Sequence, residues 1–341
     1  MFDNFYGNAT TAATLEGMIS GQRIHQTLLL AGPEGIGKAT LARRFAARLM
    51  GHPELIEQDD LSLPGNMAHI AEREKLPSEK RVEDPLVFQT HSDFLTFPPD
   101  GPLRQLSIQQ MRLLKDRAQF NPMRGAYRVF LIDHIDRANE QAANSLLKTL
   151  EEPPAHLILI MTAENAYDLL PTIRSRSVPL QLAPLTPEEM KSFVKARGLD
   201  HAERRIALAS GSPGMAISMD LALYDKRRDA MLALLVAASG KGTVGTWAKH
   251  SESIGASRSE KLEPYLKVLY LLLEDLVLLQ QQRTDIMNFD VRPELQTLAT
   301  VISFEWIRKA VAKVDELVVM LRRNIQKGLA LDAFVMEMRT L

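Results

Sequence analysis

The sequence has no cysteine. Disulfides, thiolate nucleophiles and cysteine-ligated zinc are therefore excluded. An excess of one charge is lacking too. The 41 Lys and Arg residues face 42 Asp and Glu, a net charge of -1, so no bulk field draws the chain to nucleic acid or to a membrane surface. Aromatic residues make up only 6%, and no aromatic-basic patch or recognition helix stands out. The longest apolar run, YLKVLYLLLEDLVLL around Tyr270, is broken by charges and too short to span a bilayer. The opening MFDNFYGNATTAATLEG is polar and mixed, unlike a secretory signal. A cytoplasmic protein with no membrane contact is the resulting expectation. At 341 residues and 45% hydrophobic, the chain is long enough for two or three domains with ordinary cores.

The richest stretch is GPEGIGKATLARR, Gly32 to Arg44. The apolar run HQTLLLAG before it predicts a buried strand feeding a turn. Leu41, Phe45 and Leu49, four apart, predict one face of a following helix. Strand, glycine loop and helix form the context of a phosphate-binding loop, and G-x-x-x-x-G-K fits from Gly32 to Gly37 and Lys38. Gly35 and Gly37 would let backbone N–H groups converge on phosphate oxygens, and Lys38 would reach the terminal phosphates. A plain glycine-rich turn explains the strand context and Lys38 less well. The residue that should hold magnesium with a hydroxyl is Ala39. Thr40 does not replace it, because one step along a helix turns a side chain by about 100°.

In RVFLIDHID, the apolar Val129 to Ile132 lead to Asp133, the acid expected to help hold magnesium. The next position, where an acid would polarise the attacking water, is His134. Two parts of a hydrolytic site are thus missing together. In LLPTIRSRSVPL, Arg174 and Arg176 lie in a loop after a strand. Such a loop is either a solvated basic surface or a way to project a guanidinium, whose geometry suits phosphate, into a neighbour's site. Arg174 is expected to face the opposite way.

The polar stretch 51–104 predicts loop with a short helix or two, and HSDFLTFPP within it a short strand. Ile108, Met111, Leu114 and Ala118 predict a helix capped by Ser107. YRVFLIDH and HLILIMTA predict further buried strands, and DRANEQAANSLLKTLEEPP a helix stopped by prolines. Strands alternating with helices imply an α/β fold with a parallel sheet up to about Leu182. Strand signals then become scarce. A helix starts at Thr186 or Pro187, GSPGMA breaks the pattern, and the chain is expected to be helical from about Leu221 to Leu341.

FDNFYGN, GPEGIGKATLA, HSDFLTFPP before SIQQMR, LIDHIDRANEQAANSLLKTLEEPP and LLPTIRSRSVPLQL together resemble the bacterial clamp-loader branch of the AAA+ family. NSLLKTLEEPP and TIRSRS carry most of that resemblance. It implies a RecA-like AAA+ core at 1–182, a small helical lid at 183–241 and an all-α collar at 242–341. Five collars form a ring that uses ATP to open a sliding clamp and place it on primed DNA. The implied partners are tau/gamma and delta subunits, with clamp and DNA met through the assembled complex. Gly32, Gly35, Gly37, Lys38, Asp133 and Thr162 then form a degenerate site holding ATP or ADP weakly, with no metal ligand set of its own. Thr162 lies where the family's first sensor lies, and a plain strand-end hydroxyl explains it as well. Arg176 would serve in trans in a neighbour's ATP site. Ser177 stands where the family has cysteine. Gly214 and Met215 occupy the region where active members carry a lid arginine. Many relatives hold a four-cysteine zinc module; without cysteine, 51–104 must order itself without zinc or remain mobile. A non-hydrolysing subunit is the expected function, and an active motor subunit of the tau/gamma type the alternative.

Overall fold

In the computed structural model, residue 2 and residues 4–242, 244–256, 261–320 and 326–340 are described. Parts of the expected collar, at 243, 257–260, 321–325 and 341, lie outside them. The apolar runs become five strands: β1 (Thr27–Ala31), β2 (Phe94–Phe97), β3 (Arg128–Ile132), β4 (Leu157–Ala163) and β5 (Val178–Gln181). They form one parallel sheet in the order β2-β3-β4-β1-β5. Every residue of the first four strands is buried. Their sequences are continuous rather than alternating because both faces of the sheet are covered. On one face, Leu29, Leu95, Phe130, Leu159 and Met161 pack against α6 (Ile108–Ala118) and α7 (Glu140–Glu151). On the other, Leu28, Leu30, Val129, Ile158 and Ile160 pack against α1 (Ala9–Ser20) and α2 (Lys38–Met50). Helix α6 starts with the Ser107–Gln110 capping box. The α/β core with a phosphate-loop motif after its first strand is the AAA+ type of core that the resemblance implied.

Both margins of the sheet are occupied. At β2, Phe88 and Thr96 exchange two backbone hydrogen bonds of 2.9 Å. At β5, Leu182 N donates to Ala31 O at 2.7 Å, so the alternate residues Pro179, Gln181 and Ala183 turn their backbone outward. Proline has no N–H. Gln181 O accepts from Thr11 Oγ1 at 2.9 Å, and Asn8 holds both Ala183 N (2.7 Å) and Ala183 O (3.0 Å).

Residues 51–104 are more helical than expected. They contain α3 (Pro53–Ile56), α4 (Pro64–Glu74) and α5 (Ser78–Glu83), besides β2. Buried arginines order this cysteine-free stretch. Arg43 on α2, 2% exposed, bonds Glu57 Oε2 at 3.0 Å and also pairs with Asp60. Arg73 on α4 bonds Asp100 at 2.8 and 3.2 Å and Asp84 O at 2.6 Å. Fully buried Asp59 accepts from Thr90 N at 3.0 Å.

The chain divides into two compact units, 1–199 with 210–215 and 200–209 with 216–341. The first also holds α8 (Pro171–Arg174) and α9 (Pro187–Arg197), the latter started by a Thr186–Glu189 capping box. The expected lid segment, 183–241, contributes residues to both units. In the second unit, α10 (Leu221–Ala238), α11 (Glu263–Gln280), α12 (Phe304–Met320) and α13 (Lys327–Arg339) enclose an apolar core around Leu234, Leu269, Leu272 and Ala310. No strand occurs among its described residues. A buried carboxylate, Asp275, accepts from Met287 N (2.7 Å), Asn288 N (2.9 Å) and Asn288 Nδ2 (2.7 Å), fastening the turn that follows α11. No helix among the described residues is long and apolar enough to cross a membrane.

Candidate functional site: a closed phosphate loop and an outward arginine

The loop leaves the carboxyl end of β1, where parallel α/β sheets bind ligands. Gly35 and Gly37 adopt φ of 72° and 100°, a region costly for any residue with a Cβ. Lys38 opens α2 but does not extend into the mouth of the loop. Its Nζ donates to Gly32 O at 2.6 Å and to Pro33 O at 2.8 Å, and the residue is 6% exposed. Segment 212–215 takes up the next two carbonyls. Ser212 Oγ donates to Glu34 O at 3.0 Å, and Gly214 N donates to Gly35 O at 2.8 Å. Four successive loop carbonyls thus accept hydrogen bonds from the protein itself. The approach is so close that a Cβ on Gly35 would lie 2.5 Å from Ser212 Oγ.

Asp133 and Thr162 meet beside each other because the register pairs Ile132 with Met161. Thr162 Oγ1 donates to Asp133 Oδ1 at 2.6 Å and accepts from His134 N at 2.8 Å. Thr162 is fully buried and Asp133 8% exposed. The residues do not fit the magnesium that a phosphate-loop site uses: Ala39 offers a methyl group, and one oxygen of Asp133 is already bonded to Thr162. Burial pushes the Lys38 ammonium below its ordinary pKa, and the charges of Asp133, Glu164, Asp136 and Glu34 oppose that shift. The ligating atoms of His134, Asp136 and Glu164 fall within 4.8 Å of one another. Glu164 is exposed and faces Arg137 Nη2 at 3.6 Å, and His134 Nδ1 lies 3.9 Å from Asp136 Oδ1.

Arg174 and Arg176 lie on and just after the single turn of α8, where a loop was expected. Their guanidinium groups part. Arg174 stacks over the exposed ring of Tyr167, 4.9 Å from its centre. Arg176 Nη2 donates to Glu151 Oε1 at 2.6 Å, and its Nη1 to Thr172 O at 2.9 Å and Ser175 Oγ at 3.4 Å. Ser177 turns its hydroxyl onto Ile173 O and Arg174 O, both at 3.2 Å.

The structure therefore gathers Gly32, Gly35, Gly37 and Lys38 into one loop, and Asp133 with Thr162 into one buried pair. Arg176 shares no hydrogen bond with either. Sequence reasoning missed Ser212, which binds a carbonyl 178 positions away and leaves no local trace. It also missed Glu151, although two acids closing a helix in LEEPP do carry a signal. Carboxylates at a helix C-terminus oppose its dipole and call for a nearby cation.

Fold and motif placement define an AAA+ module whose phosphate loop is folded onto itself. A family model described as DNA polymerase III, delta subunit, matches residues 7–186. The chain belongs to this clamp-loader family of DNA polymerase III. Similar proteins include subunit tau of Salmonella typhimurium, 26% identical over 251 residues that make up 72% of this chain and 35% of that protein. Subunit delta' of Pseudomonas aeruginosa is 30% identical over 189 residues, 54% of this chain and 52% of that protein. The chain thus spans about a third to a half of the length of these curated relatives. Among solved structures, a gamma subunit-related protein from Thermotoga maritima aligns over 96% of this chain and 98% of its own, with a TM-score of 0.46 and 17% identity.

Proposed function

We propose that this chain acts as a delta-prime-type subunit of a DNA polymerase III clamp loader. It does not hydrolyse ATP itself and lends Arg176 to the ATP site of an adjacent tau/gamma subunit. The observation that carries this reading is the state of Lys38, which is bonded to the carbonyls of its own loop. ATP or ADP bound there would have to displace those bonds, so binding is weak. Arg176, by contrast, is one-third exposed on a surface turn. In this reading 183–241 is the lid, and 242–341 is the collar that joins tau/gamma and delta subunits. Phe304, Val319, Leu329 and Met336 leave apolar side chains exposed in that segment. The sliding clamp and primed DNA are met through the assembled complex, in the cytoplasm.

The second reading, an active tau/gamma-type motor, draws on the retention of Lys38, Asp133 and Thr162. One experiment separates the two. The loader is reconstituted with its partner subunits, and DNA- and clamp-stimulated ATP hydrolysis is measured with Arg176→Ala. A trans arginine is worth roughly 10³ to 10⁵ in rate at the site it serves. The loss per complex is smaller, because only one neighbour receives Arg176. Arg176→Lys should rescue poorly, lacking the planar fork, and Arg174→Ala should be milder. Full hydrolysis in an assembled Arg176→Ala complex rules the proposal out. Turnover by the isolated chain, abolished by Lys38→Ala, would establish the motor reading instead.

A further inference from the structure

We infer that Glu151 is a positioning residue for Arg176: it holds the guanidinium on its own subunit and competes for it with the partner's phosphate. This rests on the trans reading of Arg176 and goes beyond it. The three hydrogen bonds of Arg176 use at most three of its five N–H groups. The group is fixed in direction yet retains donors for a second anion. Only one of its partners, Glu151, carries charge.

The position of Glu151 explains why the pair forms. Glu151 is the last residue of α7, Glu152 is its C-cap, and Pro153 and Pro154 follow. Two carboxylates sit at the negative end of the helix dipole, and a guanidinium relieves both the dipole and their mutual repulsion. The pair is nevertheless exposed, Arg176 by 33% and Glu151 by 49%. An exposed pair of this kind favours its closed form by roughly two- to five-fold. That is enough to hold Arg176 in the free subunit. It is not enough to resist a phosphate, which offers more charge and three acceptor oxygens. Glu151 therefore keeps an exposed arginine from pairing at random and releases it to the correct anion.

The test is a double-mutant cycle in the reconstituted loader, reading kcat/KM for stimulated ATP hydrolysis. Glu151→Gln keeps the shape and removes the charge. It is expected to raise kcat/KM roughly two- to five-fold at low salt, with the gain shrinking as salt screens the pair. Glu151→Asp, which keeps the charge, should stay near the wild type. In an Arg176→Ala background, Glu151→Gln should change nothing, an outcome that a merely structural role would not produce. Equal kcat/KM for wild type and Glu151→Gln, a fall with Glu151→Gln, or a gain that persists without Arg176 each overturns the proposal. If Arg176→Ala lowers hydrolysis while Glu151→Gln does nothing, only the role of Glu151 fails. If Arg176→Ala is itself silent, the trans reading fails with it.

Discussion

The phosphate loop and the Arg176 turn belong to the same compact unit, and they treat a cation in opposite ways. At the loop, Lys38 is buried, and both its bonds run to carbonyls of its own turn. At the turn, Arg176 is exposed and held by one surface carboxylate. A buried ammonium bonded to backbone is part of the fold, and removing it leaves buried acceptors without partners. An exposed guanidinium contributes little to folding and is free to serve another molecule. The contrast separates a cation that is part of the core's own architecture from one presented at its surface.

That contrast can be broken by stability measurements. The largest effect is expected for Lys38→Met, which strands Gly32 O and Pro33 O and should cost about 1–3 kcal/mol in urea unfolding. The same residue gives a pH signature. Burial lowers its folded-state pKa below the ordinary 10.5, so the cost of burying the charge is fully present at neutral pH. The folded state deprotonates first, and stability should rise as pH climbs from the depressed value toward 10.5. Lys38→Met should lack that rise, and an identical slope in both proteins would show that Lys38 is solvated. Next comes Gly35→Ala. It places a Cβ against Ser212 Oγ at 2.5 Å and Met215 N at 3.1 Å, at φ of 72°, and should cost about 1–2 kcal/mol. A neutral result would mean that segment 212–215 does not close the loop. Smallest are Arg176→Ala and Arg174→Ala, each expected to shift unfolding by no more than about 0.5 kcal/mol. A large loss for Arg176→Ala would make it a structural residue like Lys38 and erase the distinction.

Much of the core was legible from sequence. Continuous apolar runs gave the buried strands, because a sheet covered on both faces has no polar side to alternate with. Ser107 and Thr186 announced their helices through local capping bonds. The 51–104 stretch was under-read for the opposite reason. Helix α4 begins after Leu63 with no side-chain cap, and its fixing contact, Arg73 to Asp100, spans 27 positions. The phosphate loop was legible as a pattern, but the string G-x-x-x-x-G-K is the same whether the lysine faces a ligand or its own loop. Arg176 stood out as a residue, whereas its pairing with Glu151, 25 positions earlier, became visible only in three dimensions.

The two margins of the sheet bear on how this chain meets other chains. Phe88 occupies one side, while Pro179, Thr11 and Asn8 occupy the other. A sheet margined in this way offers a foreign strand few free backbone groups to extend. Recognition through the core then leans on side chains, one residue at a time. Backbone pairing is nearly indifferent to sequence, and it is the same chemistry that lets unlike chains stick in fibrils. Limiting it favours a core selective about its neighbours, with associations open to change by single substitutions.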